Sequence, residues 1–311
     1  MSTASIKAVV RQMRLESVDV LSIEFAPVAP AVFPHWEPGA HVDVHLPGGI
    51  VRQYSLCGDQ TNWRIAVLRE PLSRGGSAFI HESLRPGDLI WLSEPRNHFG
   101  LDDAMSYYFV AGGIGITPIL PKLAAAGVRG ARWHLLYGGR RRDSMAFLDE
   151  LSRHGEHATV LPEDEFGLLP LRERLTAVEP ETSVHVCGPP PLIRAVTDVC
   201  ADLGMSNLHV ERFSAAVAPE VERFAFQVVA RRSGTTVEVR SDQSILEALE
   251  QAGIETISSC REGICGTCET KVMAGSIDHR DSLLTKDEQA AENTMMICVS
   301  RCTGQTLELD I

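Results

Sequence analysis

The sequence predicts a multidomain protein of the β and α/β classes, with an antiparallel β-barrel, a parallel-sheet α/β domain and a small C-terminal domain. Three observations predict this order. Short apolar strands separated by Pro-Gly, Gly-Gly and Gly-Asp turns fill residues 1–103. Strands alternate with helices over residues 104–217. Three of the eight cysteines fall within nine residues, 260–268.

The barrel is predicted from six apolar segments that are each long enough for one strand. They read AVV, SIEFAPV, HVDVHLP, RQYSL, RIAVL and DLIWL. Runs of this length, divided by turn residues, are typical of closed or nearly closed antiparallel sheets.

The α/β domain is predicted from a change of period after residue 104. Buried strands are expected at 107–113, 133–139 and 183–190, and helices at 118–127, 146–151 and 191–204, with Gly127 ending the first helix. Strands that alternate with helices form a parallel sheet.

The last third begins after a predicted linker, residues 218–224, in a stretch of small residues and proline. Residues 225–311 form the C-terminal domain. It opens with two alternating strands around a Ser-Gly turn, followed by an amphipathic helix, SILEALEQAG, with a glycine after its end.

Composition excludes several classes of protein. Lys and Arg number 29 against 41 Asp and Glu, a net charge of −12, which disfavours nucleic acid or an anionic membrane as partner. The longest uncharged run, 104–121, contains three glycines and two prolines and is not a membrane span. The N-terminus lacks the apolar stretch of a signal peptide, so we expect a cytoplasmic protein with reduced cysteines.

The cysteine spacing predicts a [2Fe–2S] cluster. Cys260, Cys265 and Cys268 are followed by Cys298 after 29 intervening residues, the plant-type pattern in which four thiolates hold two irons. Gly263 and Gly266 allow the loop to curl so that backbone N–H groups face the sulfurs. The alternatives are a zinc site, although the second Cys-x2-Cys pair is missing, and Cys302 in place of Cys298 as the fourth ligand.

Two short motifs in the barrel indicate a phosphate and a flat ring. Arg52-Gln53-Tyr54-Ser55 ends a strand, and Ser73-Arg74-Gly75-Gly76-Ser77 begins a helix about twenty residues later. Glycines before a helix expose N–H groups to a phosphate, and arginine adds charge-assisted bonds. Either motif alone is common in turns and strands, so the prediction of a phosphate and a flat ring depends on the two motifs occurring together.

Two further motifs indicate a dinucleotide at neighbouring strand ends. Gly112-Gly113-Ile114-Gly115-Ile116-Thr117-Pro118 lacks the third glycine of the dinucleotide fingerprint but allows close approach of a cofactor. Cys187-Gly188-Pro189-Pro190 follows another strand at the same end of the sheet, where open parallel sheets bind ligands. Cys187 could instead be a buried core cysteine. The three arginines Arg140, Arg141 and Arg142 could bind a 2′-phosphate, contact the adenosine ribose or simply lie in a solvated loop.

In this domain order the whole chain resembles the phthalate dioxygenase reductase family, which includes vanillate demethylase reductases, within the ferredoxin–NADP reductase superfamily. The resemblance implies an FMN-binding barrel, an NADH-binding α/β domain and a C-terminal plant-type ferredoxin of the β-grasp type. The extra arginines after Arg140 depart from what the family implies for NADH.

The resemblance also implies roles for single residues. Ser55, Thr117 and Cys187 would be catalytic, with Ser55 near flavin N5 and Cys187 against the nicotinamide. The residues that would bind FMN are Arg52, Tyr54, Ser55, Val67, Leu68, Arg69, Gly75, Gly76, Ser77, Thr117 and Phe213. Those that would bind NADH are Gly112, Gly113, Gly115, Arg140, Cys187, Gly188 and Pro189. Phe213 could equally pack within its own strand.

These assignments predict a reductase component that takes hydride from NADH onto FMN and passes single electrons through the cluster. We find no oxygenase motif, so the expected acceptor is a separate protein, a Rieske-type non-haem iron oxygenase, and the reductase itself is expected to be a monomer. The alternatives are a reductase for a haem-thiolate monooxygenase and, in a different class, a flavin and iron–sulfur redox sensor.

Overall fold

The computed structural model describes residues 5–29, 32–59, 63–214 and 223–311. The chain divides into two compact units, Met1–Phe213 and Ser214–Ile311, and each is described by itself. Most of the predicted linker, 218–224, lies outside the described residues. Within the described ranges, no helix has the length and apolar character needed to cross a bilayer.

The first unit begins with the predicted antiparallel sheet. Its strands are β1 (Ser5–Ser17), β2 (Val20–Pro27), β3 (His41–Leu46), β4 (Ile50–Ser55), β5 (Trp63–Leu68) and β6 (Leu89–Ser93). The order across the sheet is β4-β3-β6-β1-β2-β5. The edge strands β4 and β5 contact each other, which curls the sheet around a core that includes Val42, Trp63 and Leu92. The short helix α1 (Gly76–Glu82) contacts both edge strands.

A parallel sheet follows, as predicted. Its strands are β7 (Ser106–Gly112), β8 (Arg132–Gly139), β9 (Ala158–Pro162), β10 (Ser183–Cys187) and β11 (Leu208–Glu211). The helices of this part are α2 (Leu120–Val128), α3 (Leu148–Leu151), α4 (Glu163–Phe166), α5 (Leu171–Thr176) and α6 (Pro190–Asp202). The order is β11-β10-β7-β8-β9. The chain therefore changes direction across the sheet between β7 and β10, the place where open parallel sheets bind ligands at the carboxyl ends of their strands.

Two predicted helices differ from the observed ones. The glycine motif leads into a single 3₁₀ turn, Gly113–Ile116, and α2 begins only at Leu120 and continues through Gly127. The chain reverses at Gly130, which has the positive φ expected of Gly127. The helix predicted at 146–151 is shortened to α3 because Phe147 has a φ of 64°, a left-handed conformation that cannot continue a right-handed helix.

The barrel and the α/β part share one hydrophobic core. Ala66 and Phe99 from the barrel side pack in the same cluster as Ile116, Ile119 and Leu123. Because burial of shared apolar surface holds the two parts together, they form one compact unit. The ends of β4 and β5 therefore have a defined position relative to the turn Gly113–Ile116, which β5 contacts.

The described part of the second unit contains a five-stranded mixed sheet, a smaller two-stranded sheet and two helices. The strands are β12 (Phe226–Ala230), β13 (Thr235–Val239), β14 (Glu269–Ala274), β15 (Ile277–Asp278), β16 (Thr294–Met296), β17 (Arg301–Cys302) and β18 (Thr306–Leu309), and the helices are α7 (Ile245–Gln251) and α8 (Lys286–Ala290). The larger sheet has the order β13-β12-β18-β14-β16, with β12 and β18 parallel. Ser244 and Glu247 form a capping box that begins α7 at the predicted place.

Candidate flavin, nucleotide and cluster sites

Four cysteine side chains meet in the second unit, between the loop 260–268 and the turn after β16. The thiol of Cys260 lies within hydrogen-bond distance of the thiols of Cys265 and Cys298, and Cys298 lies within that distance of Cys268. The Cys302 Sγ instead accepts a hydrogen bond from the Gly304 N–H at 3.2 Å. The structure therefore brings together the four predicted ligands and places the rival cysteine elsewhere.

Backbone N–H groups face these sulfurs, as the glycine spacing predicts. The Glu262 N–H donates to Cys260 Sγ at 3.3 Å, and the Thr267 N–H donates to Cys265 Sγ at 3.4 Å. Gly263 has a φ of 68°, and a Cβ there would lie 2.5 Å from a Val299 methyl group. The loop can curl around the sulfurs only with glycine at this position.

The electrostatics of the thiol group suit a cation at its centre. The hydrogen bond with Cys260, together with burial, raises the pKa of Cys265 far above its usual range. A hydrogen bond from Cys260 works to lower the pKa of Cys298, but the Cys268 thiol and burial outweigh it and raise that pKa to about 12. Four thiolates here would repel one another without a compensating positive charge. This donor set fits either a [2Fe–2S] cluster or zinc.

Arg52 connects the end of the barrel to the segment before α1. Its guanidinium donates to the carbonyls of Val51 and Arg74, both at 2.7 Å. A Cβ at Gly76 would lie 2.6 Å from Arg52 Cγ, so the arginine stem packs directly on this glycine. Gly75 has a φ of 90°, which explains the first glycine of the motif. Hydrogen bonds and packing thus join the residues that are predicted to bind the phosphate.

The Ser77 side chain forms hydrogen bonds within the turn that precedes α1. Its hydroxyl is buried, donates to Ser73 Oγ at 3.0 Å and accepts from the Glu70 N–H at 3.2 Å. The Ser73 Oγ also accepts from the Ala78 N–H at 3.2 Å. The Ser77 hydroxyl is therefore already engaged in hydrogen bonds within the turn.

The predicted ring-binding residues lie at the ends of β4 and β5. Tyr54 is partly buried, and burial raises its pKa to about 12, so the phenol stays neutral. Ser55 is buried at the last position of β4, opposite His41. The Val67 carbonyl bonds to His81 Nε2 at 2.9 Å, and Leu68 packs against the shared core.

Three more residues are predicted to bind the flavin, and the structure places Arg69 directly after β5 and Thr117 directly after the turn that β5 contacts. Arg69 donates its backbone N–H to the Asp19 carbonyl at 2.8 Å, and its guanidinium pairs with Glu82. Thr117 is buried, and its hydroxyl donates to the Ile114 carbonyl at 3.0 Å. Phe213, which closely follows β11, is 39% exposed and lies at the end of the first unit.

The glycines of the predicted nucleotide site also let two turns pack closely together, which the sequence did not reveal. A Cβ at Gly115 would lie 2.4 Å from the Cys187 carbonyl oxygen, and one at Gly112 would lie 2.8 Å from Pro189 Cδ. A Cβ at Gly188 would lie 3.0 Å from the Gly112 backbone. The turns after β7 and β10 therefore pack against each other through their glycines. Gly113, with a φ of 55°, has no neighbour that a Cβ would meet, and it leaves room for a ligand.

Cys187 lies at the predicted end of β10 and is fully buried. Burial raises the pKa of its thiol well above the usual value, so the group is neutral. The structure adds two residues that the motifs missed. Glu211 pairs with Cys187 across β10 and β11, and burial raises its pKa to about 8. Lys122 of α2 is fully buried nearby. A lone acid in a strand and a lone lysine in a helix give no sequence signal.

The three arginines after β8 differ in their partners. The guanidinium of Arg142 forms a bidentate pair with Glu165, at 2.8 and 2.7 Å, and Arg141 pairs with Asp143. Arg140 is exposed, and its backbone carbonyl accepts from the Asp164 N–H at 3.2 Å. Two of the three positive charges that could attract a 2′-phosphate are thus already paired with carboxylates.

Comparison with known proteins gives a consistent result. Residues 228–303 match the family described as the 2Fe-2S iron-sulfur cluster binding domain. The chain is 41% identical over 94% of its length to the phenoxybenzoate dioxygenase subunit beta of Ectopseudomonas oleovorans, covering 93% of that protein. The crystal structure of phthalate dioxygenase reductase, described as modular for electron transfer from pyridine nucleotides to [2Fe-2S], matches with a TM-score of 0.72 and 34% identity, over 99% of this chain and 98% of that one.

A third similarity is to part of a longer protein. The structure of an intact type IV self-sufficient cytochrome P450 monooxygenase matches with a TM-score of 0.91 and 42% identity, over 99% of this chain but 41% of that one. The cluster-domain match and the full-length relatives confirm the predicted cofactors, and they favour a [2Fe–2S] cluster over zinc at the four thiols. The chain belongs to the phthalate dioxygenase reductase family, oxidoreductases whose fold binds FMN and NADH and carries a [2Fe–2S] ferredoxin domain.

Proposed function

We propose that this chain is the reductase component that supplies electrons from NADH to a separate Rieske-type non-haem iron oxygenase. The observation that carries the proposal is the near full-length similarity to a subunit of a dioxygenase. Substrates of such oxygenases include aromatic rings to be hydroxylated and methyl ethers or amines to be demethylated. The monomeric state of the reductase stays a prediction.

In this proposal the barrel residues hold FMN, whose chemistry is to accept a hydride and release electrons singly. Arg52, Gly75, Gly76 and Ser77 would surround the phosphate. Tyr54, Ser55, Val67, Leu68, Arg69, Thr117 and Phe213 would surround the ring. The guanidinium of Arg52 supports this role, because two backbone carbonyls orient it and, among the described residues, no carboxylate pairs with it that would compete with a phosphate.

The switch point between β7 and β10 would hold NADH. Gly112, Gly113, Gly115, Gly188 and Pro189 form the packed turns, and Arg140 would reach the adenosine end. Cys187 would contact the nicotinamide. Its neutral, buried thiol adds no charge to a ring that becomes cationic when it loses hydride.

The thiolates of Cys260, Cys265, Cys268 and Cys298 would ligate the cluster. Residues 225–311 contain 14 acidic and 8 basic side chains, so this part of the chain is suited to dock on a basic surface.

A haem-thiolate monooxygenase is the second candidate acceptor. The specific observation in its favour is the similarity, over 99% of the chain, to the corresponding part of a self-sufficient cytochrome P450. We favour the Rieske partner because the dioxygenase relative matches this chain over almost its entire length as a separate subunit.

The two acceptors can be compared directly. The full chain and NADH are mixed anaerobically with equal concentrations of a Rieske oxygenase of the phenoxybenzoate dioxygenase class or of a cytochrome P450 that lacks its own reductase. Reduction is followed by bleaching of the Rieske cluster or by formation of the carbon monoxide adduct of the haem. We expect faster reduction of the Rieske oxygenase. Faster reduction of the cytochrome would overturn the choice of partner.

A further inference from the structure

A buried carboxylate lies behind the loop 260–268 of the second unit. The Asp281 side chain is 0% exposed. Its Oδ2 accepts backbone N–H groups from Leu283 at 3.2 Å and from Leu284 at 2.8 Å. Its Oδ1 lies 3.4 Å from the Ser300 hydroxyl, which donates to it, and 3.5 Å from His279 Nδ1. Burying a carboxylate costs free energy that an apolar residue at the same place would not.

The neighbours of this carboxylate suit its negative charge. Ser300 Oγ accepts the Arg280 N–H at 3.2 Å, which leaves the hydroxyl proton free to face Asp281. Both carboxylate oxygens therefore meet donors, as an ionised group requires. Among the residues that the structure describes, no lysine or arginine forms an ion pair with Asp281. The charge is thus hydrogen-bonded but is not cancelled by a cationic side chain of Lys or Arg.

Two contacts join the Asp281 segment to the loop 260–268. The N–H of the next residue, Ser282, donates to the Gly263 carbonyl at 3.0 Å. A Cβ at Gly263 would lie 3.1 Å from Asp281 Cα, so the two backbones touch. The residue before Gly263 is Glu262, whose N–H donates to Cys260 Sγ at 3.3 Å. Asp281 therefore lies directly behind a part of the loop that donates to a sulfur.

A third contact reaches the segment of the fourth cysteine. Ser300, the hydroxyl donor to Asp281, follows Cys298 by two residues and is fully buried. The Ser300 N–H donates to the Met296 carbonyl at 2.9 Å, which closes the turn after β16. Asp281 thus connects the two segments that carry the four cysteines, the loop 260–268 and the turn after β16.

We propose that Asp281 is a positioning residue for the cluster, whose buried carboxylate holds the loop 260–268 against the turn after β16 and keeps the reduction potential of the cluster low. Uptake of one electron adds one negative charge to a site of four thiolates, and a buried anion beside that site opposes the addition. Net charge and hydrogen bonds to the sulfurs set such potentials. A lower potential makes the reduced protein a stronger electron donor to its acceptor. The inference rests on the proposed ligation by Cys260 and Cys298.

The test measures the potential of the cluster, without turnover. The full chain, loaded with FMN and cluster, is titrated with dithionite in the presence of redox mediators, and the reduced cluster is quantified by its electron paramagnetic resonance signal. Asp281→Asn keeps an oxygen for the two backbone N–H groups and removes the charge. We expect its equilibrium constant for one-electron reduction to rise about tenfold, a shift of about 59 mV, with unchanged g values.

Two further variants separate the buried charge from other effects. Asp287→Asn is the matched control, because it removes the same charge from the exposed first turn of α8, where water and salt screen it. We expect this control to change the constant by at most about twofold. Asp281→Glu keeps the charge and should stay closer to the wild-type potential than Asp281→Asn does.

The outcomes decide between a tuning role and a structural one. A shift in Asp281→Asn no larger than in Asp287→Asn would make Asp281 only a cap of its own turn and overturn the inference. An equal shift in Asp281→Glu would overturn the role of the charge. If Asp281→Asn loses the cluster, Asp281→Glu decides, because a retained cluster at near the wild-type potential supports the inference and a lost cluster overturns it. If Cys298→Ser keeps the wild-type signal, the proposed ligation is wrong and the inference falls with it.

Discussion

Replacing Arg52 by alanine should weaken FMN binding while the barrel stays folded. The guanidinium is held by two backbone carbonyls, so it is already oriented before a ligand arrives. A charge-assisted hydrogen bond to a phosphate contributes about 1.5–3 kcal/mol. The dissociation constant of FMN should therefore rise roughly 10- to 150-fold.

The assay is titration of the apoprotein with FMN, followed by quenching of flavin fluorescence. Arg85→Ala is the matched control, because the Arg85 guanidinium also bonds two backbone carbonyls, those of Leu84 and Glu82, at 2.7 and 2.6 Å. Arg52→Lys keeps the stem that packs on Gly76 and should lose less affinity than Arg52→Ala. An unchanged dissociation constant in Arg52→Ala would refute the reasoning and place the phosphate elsewhere.

The remaining predictions concern the nucleotide and the partner. Cys187→Ala should slow the reduction of flavin by NADH, measured by stopped-flow absorbance, without loss of FMN. The control Cys200→Ala, at a buried cysteine of α6, should reduce flavin at the wild-type rate. A wild-type rate in Cys187→Ala would show that Cys187 is only a core residue. Glu165→Gln should release Arg142 from its ion pair and raise the kcat/KM for NADPH relative to that for NADH a few-fold. The control is Glu179→Gln, which breaks the Arg132 ion pair at the other end of β8. An equal change of this ratio in both variants would contradict a local effect of Arg142. Turnover with sub-saturating oxygenase should fall as salt rises above low ionic strength, and a flat profile would indicate apolar docking.

The sequence predicted the fold where one periodic pattern decided the element. Alternation and turn residues located all six strands of the first sheet and the strands β7, β8 and β10. Prediction failed at helix ends, where the backbone conformation of a single residue determines where the helix begins or stops. The left-handed Phe147 shortens α3, and no residue type at that position announces it. The predicted boundaries at 103/104 and 217/218 stay predictions, since the barrel and α/β part share a core and residues 215–222 lie outside the described ranges.

The candidate site was predictable where spacing along the chain carries the chemistry. Cys260, Cys265 and Cys268 lie in one loop, so their spacing alone implies a shared site, and Cys298 follows at the plant-type distance. The burial of Lys122 and the position of Glu211 beside Cys187 were not predictable, because a single lysine in a helix and a single acid in a strand form no motif in the sequence. The packed glycines at 112, 115 and 188 fall between these cases, since their motif was visible but their mutual contact was not.

The most direct test of the electron route uses Cys298→Ser in the full chain with NADH and the Rieske oxygenase. Cys302→Ser is the matched control, because Cys302 is a buried cysteine of the same unit outside the thiol group. We expect Cys298→Ser to lose the cluster spectrum and most reduction of the oxygenase, yet to reduce ferricyanide with NADH at the wild-type rate, because flavin alone can supply that acceptor. Cys302→Ser should keep all three properties. Full oxygenase reduction by Cys298→Ser with its cluster lost would contradict the route from flavin through cluster to partner.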